Sequence, residues 1–199
     1  MAPKRIDNPT LNEIASGVGY LCFMYNGLES RVTTLIGLLA GLKDDDLEIL
    51  ATPVDLKKKL PMLKAFAFKN KPSALWLEDI ELMIWAVNHH IIPLRNRYVH
   101  DVWLSLPSGP MRRYERTRVS KSQSRKEPEL TTYEYISTSA DDVWALVQDT
   151  RDVSNIIRLL HRAYRAGTAA THPEQSFPQQ YRDQWLARRN SQKGSNAEG

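Results

Sequence analysis

The sequence predicts a mostly α protein, an up-and-down helical bundle with a small β-hairpin inserted before the last long helix. Three observations predict it. Apolar residues recur at alternating spacings of three and four through three long segments. Helix-start and helix-stop residues bracket those segments. A stretch rich in Tyr, Thr and Val breaks the pattern just before the last of them. At 199 residues the chain is long enough to bury a real core in one domain.

The first helix starts at Asp7-Asn8-Pro9, where Asn8 can cap and Pro9 suits the first helical position. From there Leu11, Ile14, Val18, Leu21, Tyr25, Leu28, Val32, Leu35 and Leu39 hold one register as far as Gly41, giving a narrow apolar seam. Such a seam packs inside a bundle or against a second copy, and the spacing does not choose between them. Asp44 to Leu50 reads as a short helical turn. Pro53 to Phe68 reads as a second helix with a bend at Pro61. Asn70-Lys71-Pro72-Ser73 is a break, with Ser73 as the next cap.

The third long helix carries the stripe Leu77, Ile80, Ile84, Val87, Ile91, Leu94 and Tyr98, which passes through Pro93 without losing phase. A kinked helix is therefore expected rather than a terminated one, ended by Leu106-Pro107-Ser108-Gly109-Pro110. On this reading Trp76, Trp85 and Trp103 all sit on the third helix as core or interface residues. Arg112 to Arg118 and Thr131 to Ser137 are expected to pair as a long-looped hairpin. Ser139-Ala-Asp-Asp142 then opens the last long helix as a variant capping box. Its apolar positions are Val143, Val147, Val153, Ile157, Leu160 and Tyr164, with Thr150 the weak point. These elements define a helical bundle over residues 8–167. The remainder, 168–199, reads as a polar, partly disordered tail with a helix over Gln179 to Arg189 around Tyr181 and Trp185.

Composition bounds the function classes. Apolar residues make up 42% and charged residues 25% of the chain, as in ordinary globular proteins. The single cysteine, Cys22, excludes an intrachain disulfide and points to a reducing compartment, with the thiol expected buried and inert. The residues around Met1 lack the apolar stretch of a signal peptide, and the run Val18 to Tyr25 is too short to span a bilayer. A cytoplasmic protein without a membrane partner is expected. The net charge of +4 is uneven: Arg112, Arg113, Arg116, Arg118, Lys121, Arg125 and Lys126 face only Glu115, so that strip carries +6 and the rest −2. A local basic strip points to nucleic acid; a solvated loop or hairpin accounts for it equally well.

The chemically distinctive feature is the hexapeptide Arg95-Asn96-Arg97-Tyr98-Val99-His100. A bare Arg-x4-His match is expected about 0.4 times by chance in this composition, and about 0.02 times once Asn must follow the Arg. In helical phase Asn96 and His100 lie one above the other, roughly opposite Leu94 and Tyr98. Arg95 lies about 100° to one side, within reach of both. Guanidinium, amide and imidazole on one polar face can hold a phosphodiester, the Arg as a permanent clamp and the His as a proton carrier near neutrality. The competing reading is an Arg paired with an acid on a neighbouring helix, beside a surface His. His89 and His90 with His100 and Asp101 match no zinc or di-iron spacing, so no cofactor or metal is expected. His89 and His90 are expected to cap or pack near the Pro93 bend. There is no glycine-rich phosphate loop and no nucleophile elbow.

The Arg-Asn-x3-His run near the end of a long helix, continued by Asp101, resembles the signature of the HEPN superfamily (higher eukaryotes and prokaryotes nucleotide-binding domain). Leu28-Glu29 on the first helix is similar to the Leu-Glu pair of that family. The resemblance covers about Asn8 to Gly167, although only the hexapeptide is specific. It implies metal-independent RNA cleavage at a composite site between two subunits, in a toxin or antiviral-defence setting. Arg95 would stabilise the transition-state charge, His100 would act as general acid or base, and Asn96 would orient phosphate or imidazole. RNA, a homodimer and a regulatory protein partner are the implied associations. One subgroup, paired with nucleotidyltransferase-type antitoxins, has Tyr two residues after the His; Val102 stands there here, so that subgroup is not assigned. The alternative is a non-catalytic helical interaction or regulatory module that binds a protein or nucleic-acid partner through its surface and the Arg112–Lys126 strip.

Overall fold

In a computed structural model the protein is a mostly helical bundle with a small antiparallel sheet inserted before the last long helix. The structure describes residues 9–51, 53–70, 73–106, 109–116, 132–167 and 179–195. The chain order is α1 (Pro9–Ala40), α2 (Asp44–Ala51), α3 (Leu56–Asn70), α4 (Ala74–Ala86), a π turn (Val87–Ile91) and α5 (Ile92–His100). Then come β1 (Val102–Leu106), β2 (Gly109–Arg116), β3 (Thr132–Ser137), α6 (Ala140–Arg165) and α7 (Gln179–Ser195). Two compact units share these elements. One comprises Met1–Cys22 and Leu94–Val147, the other Phe23–Pro93 and Gln148–Gly199. No helix among the described residues is long and apolar enough to cross a membrane.

Helix α1 carries the seam as expected. Ile14, Leu21, Leu28, Val32, Leu35 and Leu39 are buried within the chain itself, while Leu11, Val18 and Tyr25 of the same seam are half-buried. Cys22, between seam positions, is half-buried rather than buried. The helix ends in a paired C-cap: Leu42 N–H donates to Gly37 O at 3.0 Å and Gly41 N–H to Leu38 O at 3.3 Å, with Gly41 at φ 68°. A residue with a Cβ is strained there, which makes Gly41 the stop signal.

In the first unit, β1, β2 and β3 form the sheet in that order, both pairings antiparallel. Trp103 lies opposite Arg112 in β1/β2, and Arg112 lies opposite Ile136 in β2/β3. This corrects two expectations. The third helix stops at His100, and residues up to Leu106 are strand; Trp103 is therefore on β1. The reason is local: Val102-Trp103-Leu104 are branched and aromatic residues that suit a pleated surface, and β2 supplies the ladder partner that a helical stripe cannot anticipate. The start of α6 closes this unit. Ser139 and Asp142 form the capping box, with Ser139 N–H to Asp142 Oδ2 at 2.8 Å and Asp142 N–H to Ser139 Oγ at 3.2 Å. Val143 then packs against Gly17 of α1, and the Trp144 ring lies 5.3 Å from that of Tyr20.

In the second unit α4 is buried on more than one stripe: Trp76, Asp79, Ile80, Leu82, Met83 and Ala86 are all inaccessible. Ser73 caps it by accepting from Trp76 N–H at 3.3 Å. Trp76 donates its indole N–H to Leu160 O at 3.3 Å, tying α4 to α6. Helix α3 starts later than expected because Asp55 caps it, accepting from Lys58 N–H at 2.9 Å, and it contains Pro61 without ending. Helix α7 extends to Ser195 and buries Trp185.

Candidate functional site

Pro93 shapes the approach to the hexapeptide. Its ring would strike the carbonyl of residue 89 in a regular α-helix, and it has no N–H to give. The chain widens ahead of it into a π turn, Val87 to Ile91, with Ile92 N–H bonded five residues back to Val87 O. A kinked helix was the expectation; a π turn is the form the departure takes. Regular α-helix resumes at Ile92 and runs through the motif to His100.

In the first unit the last turn of α5 is pinned at its carbonyl end, where a helix leaves acceptors unused. Trp103 donates its indole N–H to Tyr98 O at 3.0 Å, Asp101 N–H reaches Arg97 O at 3.0 Å, and the Tyr98 and Trp103 rings stack with centroids 6.2 Å apart. Tyr98 is buried. The anchored turn presents Asn96 and His100 to solvent, with Arg95 half-exposed beside them.

The three polar side chains converge. Arg95 Nη1 donates to Asn96 Oδ1 at 3.0 Å and lies 3.3 Å from His100 Nε2. A guanidinium has donors only, so the second contact is a hydrogen bond only while Nε2 carries a lone pair. A neutral imidazole with its proton on Nδ1 satisfies that. Protonated His100 would repel the same guanidinium.

Beside this face, and in the same unit, is a cleft of about 400 Å³ lined by Leu11, Asn12, Ile14, Val18, Tyr98, Val99 and Trp103, among others. Its size falls in the range of small-molecule sites, and its lining is apolar with a single amide, Asn12. Val99 stands one helical turn from Arg95, so the cleft wall and the guanidinium belong to adjacent residues of one helix face.

The basic strip is placed only in part. Arg112, Arg113 and Arg116 lie on the central strand β2, with Arg113 opposite Val102 and Arg116 opposite Thr132. Arg118, Lys121, Arg125 and Lys126 lie outside the described residues. Among the described residues no group of three or more His, Cys, Asp or Glu could hold a metal ion.

A second polar cluster, in the other unit, was missed by the sequence reading. His89 stacks on Trp85 with centroids 5.8 Å apart, as expected of a packing residue near the Pro93 bend. His90 instead places Nε2 2.8 Å from Asp149 Oδ2, and Arg188 of α7 reaches the same oxygen at 2.8 Å while covering the Trp185 ring. The one local signal was a pair of histidines shortly before a helical proline. Their partners lie on α6 and α7, where no spacing rule leads.

No protein-family model, no curated protein and no solved structure matches this chain.

Proposed function

We propose that this protein is a metal-independent endoribonuclease of the HEPN type, acting as a cytoplasmic homodimer in a toxin or antiviral-defence setting. The observation that carries the reading is the contact of one guanidinium nitrogen, Arg95 Nη1, with both Asn96 Oδ1 and His100 Nε2. A phosphodiester laid on this face would meet a fixed cation and a proton acceptor together.

The chemistry is transfer of the phosphorus from its 5′-oxygen to the neighbouring 2′-oxygen. His100 in its base form takes the 2′-hydroxyl proton, and the oxygen attacks phosphorus. Arg95 stabilises the added charge on the phosphorane oxygens, and Asn96 orients the phosphate or the imidazole. The P–O5′ bond breaks, and the leaving oxygen takes a proton from the second imidazole of the dimer. A 2′,3′-cyclic phosphate and a 5′-hydroxyl result. Because the α1 seam is buried in this chain at Leu21 and from Leu28 to Leu39, a dimer would not use that part of it. The apolar cleft with its Tyr98–Trp103 stack has the size and lining for a nucleobase.

The test is incubation of purified protein with structured and single-stranded RNAs in EDTA, with end-group analysis. Cleavage leaving cyclic phosphate ends, absent on DNA and lost in Arg95→Ala and His100→Ala, is the expected result. Undiminished cleavage by a folded His100→Ala variant would refute the role of that residue. No turnover of any RNA, with salt-dependent RNA binding that charge reversal in the Arg112–Lys126 strip abolishes, favours the non-catalytic module.

A further inference from the structure

In the second unit a pocket of about 120 Å³ opens between α1 and α6, lined by Arg31, Thr34, Ile157, Arg158 and His161. Two guanidiniums and an imidazole face one cavity, and no carboxylate is among its described lining residues. Pairing with the described residues does not account for the arrangement. Arg31 is tethered: Nη1 donates to Ser154 O at 2.9 Å and lies 3.5 Å from Asn155 Oδ1. That uses one of its nitrogens and leaves other N–H groups of the fork. Arg158 and His161 make no hydrogen bond or ion pair to a described residue. The Thr34 hydroxyl gives its proton to Ser30 O at 3.0 Å and so offers no donor. Glu29, two residues before Arg31 in sequence, is engaged by Lys59 at 2.8 Å.

The electrostatics agree with the geometry. Burial, and then the charge of Arg158, pull the Arg31 guanidinium below its usual range. Burial, and then the charge of Arg165, do the same to the His161 imidazole. Each of these cations is disfavoured by its surroundings, so a bound anion would relieve both at once. A water molecule needs on the order of 10–15 Å³ of such space, so the pocket has room for a tetrahedral oxyanion.

We propose that Arg31, Arg158 and His161 form a binding site for a phosphate group. Planar guanidinium forks match the paired oxygens of phosphate, which favours it over a halide. The site shares no residue with the Arg95 motif and does not depend on the ribonuclease reading. The phosphate belongs either to a terminal monoester or to an internal diester of a nucleic-acid strand, the two presenting the same oxygens.

The experiment follows the imidazole resonances of His161 in the full chain during titration with inorganic phosphate, at constant ionic strength set with chloride. A saturable shift is expected, weakened about tenfold or more in Arg158→Gln, a replacement at an exposed position with no hydrogen-bond or ion-pair partner among the described residues. The variant's thermal midpoint controls for folding, and His161→Gln followed by calorimetry gives a second readout. Two 2′-O-methylated oligoribonucleotides, one with a 5′-phosphate and one with a 5′-hydroxyl, separate the sources. A His161 shift with the phosphorylated strand alone identifies a terminal monoester; equal shifts with both identify the backbone. No saturable response to phosphate or either strand, or an identical response in Arg158→Gln, would overturn the proposal.

Discussion

Asp149 Oδ2 and His90 Nε2 lie 2.8 Å apart across 59 residues of sequence, joining the π turn to α6. Arg188 Nη1 lies 2.8 Å from the same carboxylate oxygen and 3.3 Å from the same ring nitrogen. A ring nitrogen can donate to Asp149 or accept from Arg188 but cannot do both well. The shorter distance assigns the His90 proton to the carboxylate. Three helical elements of the second unit therefore meet at one carboxyl group.

That convergence predicts an acid-dependent contribution to stability. Burial alone would raise the Asp149 carboxyl, but hydrogen bonds from His90 and Arg188, with their charges, outweigh it and hold the group below its usual value. A depressed folded-state value stabilises the fold above the unfolded carboxylate range, and that stability is lost as pH falls through the folded value. Asp149→Asn should cost about 1–3 kcal/mol at neutral pH, with the difference from wild type shrinking below about pH 4. Urea unfolding at the two pH values measures it; equal stabilities at neutral pH would contradict the assignment.

Asp79 has the opposite sign. It is fully buried on α4, bonded through Oδ1 to Arg182 Nε at 3.1 Å, while Oδ2 has no hydrogen-bond partner. Burial raises its carboxyl to about 6 despite the opposing pull of Arg182. Stability from the protonated form is full below the ordinary carboxylate value and is lost as pH rises toward 6. Asp79→Asn, which cannot titrate, should therefore gain on wild type as pH is raised from about 4 to about 6. Parallel stability curves for the two proteins over that interval would show that Asp79 does not titrate there.

Glycines on α1 should respond to alanine in opposite directions. A Cβ on Gly17 would lie 2.9 Å from Val143 Cγ1, and Val143 is a stiff, fully buried side chain. Gly17→Ala should destabilise by about 1–3 kcal/mol through overpacking, despite the better helix propensity of alanine. A Cβ on Gly19 or Gly27 meets nothing within 4 Å. Alanine at either should stabilise by about 0.5–1 kcal/mol. Thermal unfolding of the three single variants decides the matter, and a stabilising Gly17→Ala would show that α1 and α6 can separate freely there.

For the hexapeptide the proposed ribonuclease function predicts losses that are large in rate and small in stability. His100→Ala should lower RNA cleavage by about 10²–10⁴-fold, the usual worth of positioned acid–base catalysis. Arg95→Lys keeps the charge but loses the planar fork, and should lose at least about tenfold. Because Asn96 and His100 face solvent, Asn96→Ala and His100→Ala should stay within about 0.5 kcal/mol of wild-type stability. Single-turnover cleavage assays beside denaturation curves separate the two effects.

Local chemistry made most of the helices readable. The α1 seam, the Gly41 stop, the Ser73 cap and the Ser139–Asp142 box each depend on residues within a few positions of one another, so their spacing carries the information. The same holds for Asn96 and His100, one turn apart on α5. The end of α5 was not readable: Val102 to Leu106 fit the end of an apolar helix or a strand, and pairing with β2 decides between them.

By itself the sequence determined the helical elements, their principal caps and the polar composition of the Arg95–His100 face. Those follow from periodicity and short-range hydrogen bonding. Only the tertiary structure decided that Arg95 touches both Asn96 and His100, that His90 binds Asp149 rather than merely packing, and that Arg31 joins Arg158 and His161 around one pocket. The first is a choice among rotamers of a long side chain, which backbone phase leaves open. The other two bring together residues distant in the chain, and such meetings are set by how helices pack, not by any spacing along one of them.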